Sequence, residues 1–547
     1  MSPFDSLRAD RLKSLVCRRD LLKIGPLAIS ASVLPSLLTG SVRAEIAVAP
    51  KAKAKSIIFL WMAGGVTHID SLDPKPEAPE QIRGTLNAIP TALPGVFFSE
   101  ACPNLARVAK DLAVVRSFSH DSDDHLLSQV YTLSGRKVTQ AQLFTEPNIG
   151  SIVQYLLGPR NGMPGYIAVP GITRPGPPPH NLFVGGWLGN QYSPFCVGGQ
   201  PEQPDFTVGD KSEDPLPQAT ENLNPPELRF PPEVTIGRLQ RRSHLRTSLE
   251  ESLRAVERAG ASPAMEGHYG GAFKLLMSPQ VRDAFDASTE SVATHAEYGH
   301  TKIGGRCLLA RRLVEAGARF VMVDYGYDPD YGNLWDIHNV REQKFPHVSE
   351  MVKRGYNVAG IDKAFAALIT DLKLRGMLDT TMVVYLTEFG RTPKINRLGG
   401  RDHWGKCGSM FFAGAGIQTG QVVGTTDPHA AYPITRAYGP ADIAATMYQG
   451  LGIEPESRVP TREHDRRIDH DECQEPVDRP IQPPRPGEVR TRQRPDPDHI
   501  CEPHERERIV HEDAIAVPAD LPRVFPRGFV RPAVSEVERD RDVKQQQ

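Results

Sequence analysis

Glu388 stands directly after an apolar stretch, Met382 to Leu386, within the run Thr387-Glu388-Phe389-Gly390-Arg391-Thr392-Pro393, and Asp402-His403 follows on the next loop. The apolar stretch reads as a buried parallel strand that delivers Glu388 at its carboxyl end. Open α/β sheets bind ligands outside the carboxyl ends of their strands. Three further clusters have the same character. Gly64-Gly65 is followed by Thr67, His68, Asp70 and Asp73. Ser119-His120-Asp121-Ser122-Asp123-Asp124-His125 closes a second apolar run, and Asp336-Ile337-His338 follows a third that ends at Asp324. An Asp and a His two apart on extended chain point to one side and can reach one ion. Hard oxygen ligands mixed with imidazole suit a divalent metal: Zn²⁺, Mn²⁺, Mg²⁺ or Ca²⁺. No cysteine lies in these clusters, which argues against a thiolate zinc site. Such a metal can lower the pKa of a bound water or clamp the oxygens of a phosphate or sulfate ester. Arg116, Arg391 and Arg401 fall near the same edges. They either fork onto a tetrahedral oxyanion or pair with the neighbouring carboxylates.

The elements that must position these residues alternate between strand and helix. Strands are expected over 56–62, 112–118, 165–169, 319–324, 381–386 and 409–413. Helices are expected over 244–259, 302–316 and 362–376, with a last one opening at Gly439-Pro440 and ending near Gly450. Gly317 and Gly376 stop two of them. This alternation predicts an α/β fold, a mostly parallel central sheet with helices on both faces. Residues 170–235, rich in Pro and Gly, read as a long irregular insertion.

Composition narrows the function classes. A net charge of −2 gives no electrostatic case for nucleic acid, and aromatic residues, at 7%, are too sparse for a single-strand stacking platform. Arg18-Arg19-Asp20-Leu21-Leu22-Lys23 is a twin-arginine pattern, followed by a short apolar run broken by Pro26 and Pro35 and by a small-residue site at Val42-Arg43-Ala44. Residues 1–44 are therefore expected to be an export signal read by the twin-arginine machinery, with no stable membrane span after cleavage and a periplasmic or extracellular destination. The seven cysteines form no CxxC pair and read as free thiols, with room for one bridge. Residues 45–456 form the expected globular domain. Residues 457–547 hold thirteen prolines, sixteen arginines and a single lysine. That composition predicts a low-order tail, the product of a shifted reading frame or of a weakly constrained extension.

The motifs GGVTHIDSLDPKP, SFSHDSDDHLLSQVYTLSGR, CLLARRLVEAGARFVMV, WDIH, TEFGRTP, GRDHW and YGPADIAATMYQGLGI occur in that order between Ser56 and Glu456. Together they resemble the DUF1501 family of exported bacterial proteins of unknown function. That family is similar in turn to the alkaline phosphatase and sulfatase superfamily, which implies an alkaline-phosphatase-like α/β sandwich with metal at the strand ends. On this resemblance Asp70 matches the metal-binding Asp after the first strand. Glu388 stands where the superfamily has Asp before His-Gly, and Phe389 replaces that His. Asp336, His338, Asp402 and His403 are left to complete the metal set. The sulfatase nucleophile position, counted back from Gly135, falls on His125, while Leu127 and Gln129 replace the Pro and Arg of that motif. A formylglycine sulfatase mechanism is therefore not expected. Ser122 or Thr67 remains as nucleophile, or a metal-bound water attacks with His125 as ligand or general acid/base and Arg391 beside the oxyanion. The resulting expectation is an exported metal-binding hydrolase-like protein acting on phosphate or sulfate esters of a small molecule or polysaccharide. The alternative is a catalytically silent envelope or carbohydrate-associated binding protein that keeps the fold.

Overall fold

Every second residue of the first strand, Ile58, Leu60 and Met62, packs into one apolar layer, and the residues between them, Ile57, Phe59 and Trp61, into another. A strand apolar on both faces must lie inside a sheet covered twice. The computed structural model shows that arrangement. It describes residues 53–171, 185–198, 278–328, 331–340 and 345–454, with isolated positions between 223 and 245 and between 457 and 467. The expected export signal, most of the helix over 244–259, most of the 170–235 insertion and nearly all of the tail lie outside the described residues.

The central sheet has eight strands: β1 (Ser56–Met62), β2 (Leu112–Phe118), β3 (Tyr166–Val169), β4 (Phe195–Cys196), β5 (Phe320–Asp324), β6 (Thr381–Thr387), β7 (Gly408–Gly414) and β8 (Gln421–Val423). Their spatial order is β8-β2-β7-β6-β1-β5-β3-β4. Strand β1 runs parallel to β5 and β6, β3 parallel to β4 and β5, and β8 parallel to β2. Only β7 is antiparallel to its neighbours, β6 and β2. This reversal matters for the site. It brings the start of β7, and the loop before it, to the edge where the other strands end.

The five longest helices among the described residues cover the sheet: α1 (His125–Ser134), α2 (Ile149–Leu157), α3 (Lys302–Ala316), α4 (Val358–Leu374) and α5 (Pro440–Gly450). Leu308, Leu309 and Leu313 of α3 and Ile361, Phe365 and Leu368 of α4 pack on the Ile58 face. Val130 and Leu133 of α1, Ile152 and Val153 of α2, and Ile443 and Met447 of α5 pack on the Phe59 face. Each such side chain contributes on the order of 1.5–3 kcal/mol on burial. The expected α/β architecture is present, with three adjustments. Helix α4 starts at Val358 rather than Asp362, because the Asn357 side chain accepts the Val358 N–H and caps it there. The segment from His125, for which no element was expected, is helical: Asp124 accepts the Leu127 N–H at its start and Gly135 closes it in the left-handed region. The short edge strands β4 and β8 were not foreseen. The four described cysteines, Cys102, Cys196, Cys307 and Cys407, are free. No helix among the described residues is long and apolar enough to cross a membrane.

Candidate metal centre

Four loops converge at the carboxyl edge of the sheet. The loop after β2 ends at His125, the first residue of α1. The chain after β5 carries Asp336 and His338. Glu388 follows β6 directly. A two-stranded ribbon, Gly390–Arg391 paired with His403–Trp404, then leads into β7.

Asp336 is the hub. His125 Nε2 lies 3.2 Å from its Oδ2. His338 Nε2 lies 3.1 Å and His403 Nε2 2.9 Å from its Oδ1. The Nε2 atoms of His338 and His403 are themselves 2.9 Å apart. Each histidine is held from behind through Nδ1: His125 by Glu388 Oε1 at 2.5 Å, His338 by Asp402 Oδ1 at 2.8 Å, and His403 by the Asp123 carbonyl at 2.9 Å. Ligand atoms of His125, Asp336 and His403 all lie within 4.8 Å of one another. Phe389 is fully buried, with its ring 4.5 Å from that of His403 and 5.4 Å from that of His125, so one wall of the cluster is dry. Gly65 makes room for this wall. It sits at φ +85°, and a Cβ there would fall 2.6 Å from the Phe389 ring.

The charges follow from this geometry. Burial disfavours the charged imidazole of His125, but Glu388 and Asp336 outweigh it and raise its pKa to about 10. For Asp336, burial is outweighed by Arg391 and by the three histidines, which hold its carboxyl well below the usual range. His338 is raised because Asp336 and Asp402 outweigh burial. In His403 burial prevails, with the positive charges of Arg391 and His125 adding to it, and its pKa falls. His403 is thus neutral, with its proton on Nδ1 facing the Asp123 carbonyl. Its Nε2 is a lone pair 2.9 Å from a carboxylate oxygen. Positive charge lies beside both acceptors: His338 Nε2 is 2.9 Å from His403 Nε2, and Arg391 donates to Asp336 Oδ1 at 2.9 Å. Buried Glu388 also keeps one oxygen, Oε2, without a hydrogen-bond partner among the described residues.

These observations fit a divalent ion. Imidazoles that ligate a metal characteristically donate the other ring N–H to a carboxylate or carbonyl. Three imidazole nitrogens with one carboxylate match a zinc-type donor set better than the all-oxygen set preferred by calcium. His125, His338, His403 and Asp336 would be the ligands.

Other expected site residues have different tasks. Asp70 is not brought to the cluster. It forms a buried two-point pair with Arg401, Oδ2 to Nε at 2.7 Å and Oδ1 to Nη2 at 2.9 Å, and accepts the Thr67 hydroxyl at 2.6 Å. A carboxylate so neutralised has no charge to offer an ion, and the Thr67 hydroxyl is already committed. Ser122 Oγ accepts from Ser128 Oγ and from the Asp124 N–H, so it braces the start of α1. Arg391, expected beside an oxyanion, is buried. It donates to the carbonyls of Gly64, Gly65 and Arg401 and to Asp336 Oδ1 at 2.9 Å. It is a positioning residue for Asp336. Arg116 likewise pairs with Asp73 and donates to the carbonyls of Leu72 and Phe97. Glu388 and Asp402, expected as ligands, stand behind His125 and His338. His120, named only as part of its cluster and given no role from sequence, donates from Nε2 to the Glu388 carbonyl at 2.5 Å and accepts the Ser122 N–H at Nδ1. No residue pattern could have announced the Asp123 carbonyl. Glu388→Gln should weaken metal binding by about 10–100-fold while leaving the ligands in place. Competition with a chromophoric chelator measures this, and unchanged affinity would remove Glu388 from the supporting layer.

A family model described as "Protein of unknown function (DUF1501)" matches residues 54–477. A search of curated proteins finds no match. Among solved structures, the chain is similar to Ps i-CgsB (11% identity, 74% of this chain and 73% of that chain, TM-score 0.33). It is also similar to the lipoteichoic acid synthase LtaP from Listeria monocytogenes (11% identity, 74% and 73%, TM-score 0.29). A third is BT4656 in complex with its substrate D-glucosamine-2-N,6-O-disulfate (13% identity, 75% and 78%, TM-score 0.29). The functional reading rests on the site alone.

Proposed function

The chain belongs to the DUF1501 family, and on that footing we propose that it is an exported metal-dependent hydrolase-like protein acting on phosphate or sulfate esters. One observation carries the proposal: three histidine Nε2 atoms converge on Asp336, each histidine held through Nδ1 by its own acceptor. A divalent ion held there would supply Lewis acidity toward an ester oxygen and a water near neutral pH. The chain's own residues do the rest. Arg391 fixes Asp336 and keeps it ionised. Phe389 shields the cluster from solvent and strengthens its electrostatics. Asp402, more than half exposed, marks the open side from which substrate enters. The nucleophile proposed is water, because the Thr67 hydroxyl donates to Asp70, Ser122 Oγ is held by Ser128 and the Asp124 N–H, and the sulfatase nucleophile position holds His125. Export rests on the Arg18-Arg19 pattern and the apolar run after it.

Those committed hydroxyls also support a second reading, a silent carbohydrate-associated protein that holds the ion without turning over an ester. Turnover separates the two. Metal-loaded protein is assayed with p-nitrophenyl phosphate, bis-p-nitrophenyl phosphate and p-nitrophenyl sulfate, beside Asp336→Ala. Hydrolysis of any of the three that Asp336→Ala abolishes is expected. A metal-loaded chain inert to all three would leave the binding protein.

A further inference from the structure

His338 is the least secured of the three histidines. His125 is backed by Glu388, which is fully buried, and His403 by a backbone carbonyl. His338 is backed by Asp402, whose side chain is 53% exposed. Water competes for an exposed carboxylate, and an exposed ion pair holds its geometry weakly. The structure supplies a second tie. Asn396 Nδ2 donates to the His338 carbonyl at 3.0 Å and to Asp402 Oδ1 at 3.3 Å, the same oxygen that lies 2.8 Å from His338 Nδ1. The orientation of this amide is fixed from its other half, because Asn396 Oδ1 accepts the N–H groups of Leu398 and Gly400 at 2.9 and 3.0 Å.

Asn396 reaches both partners because two loops are pressed together. It lies in residues 392–402, which join the two strands of the ribbon. Arg401 donates its N–H to the Ile337 carbonyl at 2.9 Å. A Cβ on Gly400 would fall 2.6 Å from that carbonyl oxygen and 2.7 Å from the oxygen of His338, so this approach requires glycine. Asn339, next to His338 in the chain, donates from Nδ2 to the Leu398 carbonyl at 2.7 Å and holds a left-handed φ of +58°. Two asparagine amides and one glycine thus bind the His338 segment to the Asp402 segment, and the Asn396 amide touches both members of the His338–Asp402 pair.

We propose that Asn396 is a positioning residue of the metal centre: by holding the Asp402 carboxylate and the His338 backbone at once, it keeps His338 Nε2 aimed at the ion. The role rests on the metal-centre reading and is independent of whether an ester is turned over. Two variants separate it from the folding of the loop. Asn396→Ala removes both halves of the amide. Asn396→Asp keeps an oxygen to accept the Leu398 and Gly400 N–H groups and removes only the donor, setting an acceptor against the His338 carbonyl and Asp402. Its added negative charge would by itself attract a cation, so weaker metal binding in this variant has the lost donor as its cause.

The test is Co²⁺ titration of the full chain against a competing chelator, for wild type, Asn396→Asp, Asn396→Ala, Asp402→Ala and the double variant Asn396→Ala/Asp402→Ala. Both single Asn396 variants should bind Co²⁺ about tenfold more weakly than wild type. In the Asp402→Ala background Asn396→Ala should cost less than about twofold, because the residue acts mainly through a carboxylate that is no longer there. A purely structural role would give the same loss in both backgrounds. Wild-type or tighter binding by Asn396→Asp, or an Asn396→Ala loss as large without Asp402 as with it, would overturn the role and leave the metal centre standing. A wild-type chain that takes up no Co²⁺ would overturn the metal centre and the role together. A chain that shows the expected losses yet hydrolyses no ester would keep the role and sink only the hydrolase reading.

Discussion

Asp336→Ala should cost the chain its metal, with affinity falling by about 100-fold or more, at the upper end of what even a supporting-layer residue removes. Asp336 is the one carboxylate that all three Nε2 atoms share. Its loss has a second consequence. Buried Arg391 loses its carboxylate partner at 2.9 Å and keeps carbonyls and the Phe389 ring around its charge. Breaking a buried pair on one side typically costs about 3–5 kcal/mol. The variant should therefore melt lower even when compared with metal-free wild type. The double variant Asp336→Ala/Arg391→Met should recover part of that stability and none of the metal. Chelator competition and thermal unfolding read the two effects separately. An Asp336→Ala chain with wild-type metal content would show that the histidines converge for another reason.

Metal binding should release protons, and affinity should rise steeply with pH. With no ion bound, Glu388 and Asp336 hold the imidazolium of His125 to about 10, and His338 is also raised. Both must give up the proton on Nε2 before that nitrogen can ligate. The sign follows directly. A raised pKa means a proton present at neutral pH, so the ion competes with it, and raising the pH removes the competitor. Affinity should gain about tenfold per pH unit from His125 alone as pH climbs from neutrality toward 10. His403, whose pKa is lowered, adds nothing to this slope. Calorimetry in buffers of different ionisation enthalpy at about pH 7.5 should find between one and two protons released per ion. Release of none would mean that His125 is not a ligand.

Much of this architecture was readable from residue order. The apolar runs at β1, β2, β5 and β6 are long enough to require burial on both faces, and Gly317 ends α3 as expected. Strands β4 and β8, with two and three residues, carry too little pattern to register. The helical start at His125 had a signal that polarity obscured: Asp124 is a capping residue, and Val130, Leu133 and Gly135 complete a short amphipathic helix. The four clusters were legible because each places acids and histidines after a strand. Their division of labour was not. Asp70 and Arg401 are 331 residues apart, and local sequence carries no record of which arginine neutralises which acid. Glu388 and Asp336 look alike in sequence. Only the direction of the His125 ring, Nδ1 toward one and Nε2 toward the other, makes the first a support and the second a ligand. The antiparallel setting of β7, which brings His403 to the edge, is likewise a property of the assembled sheet.

The central claim is that three imidazoles and Asp336 form a built metal centre, and metal content tests it most directly. The chain is purified after metal-replete expression, without a histidine tag, and its bound metals are quantified by mass spectrometry beside His338→Ala and His403→Ala. The account predicts close to one transition-metal ion per wild-type chain and a large loss in both variants. A wild-type chain free of metal under those conditions, or one whose metal survives both substitutions, would contradict it.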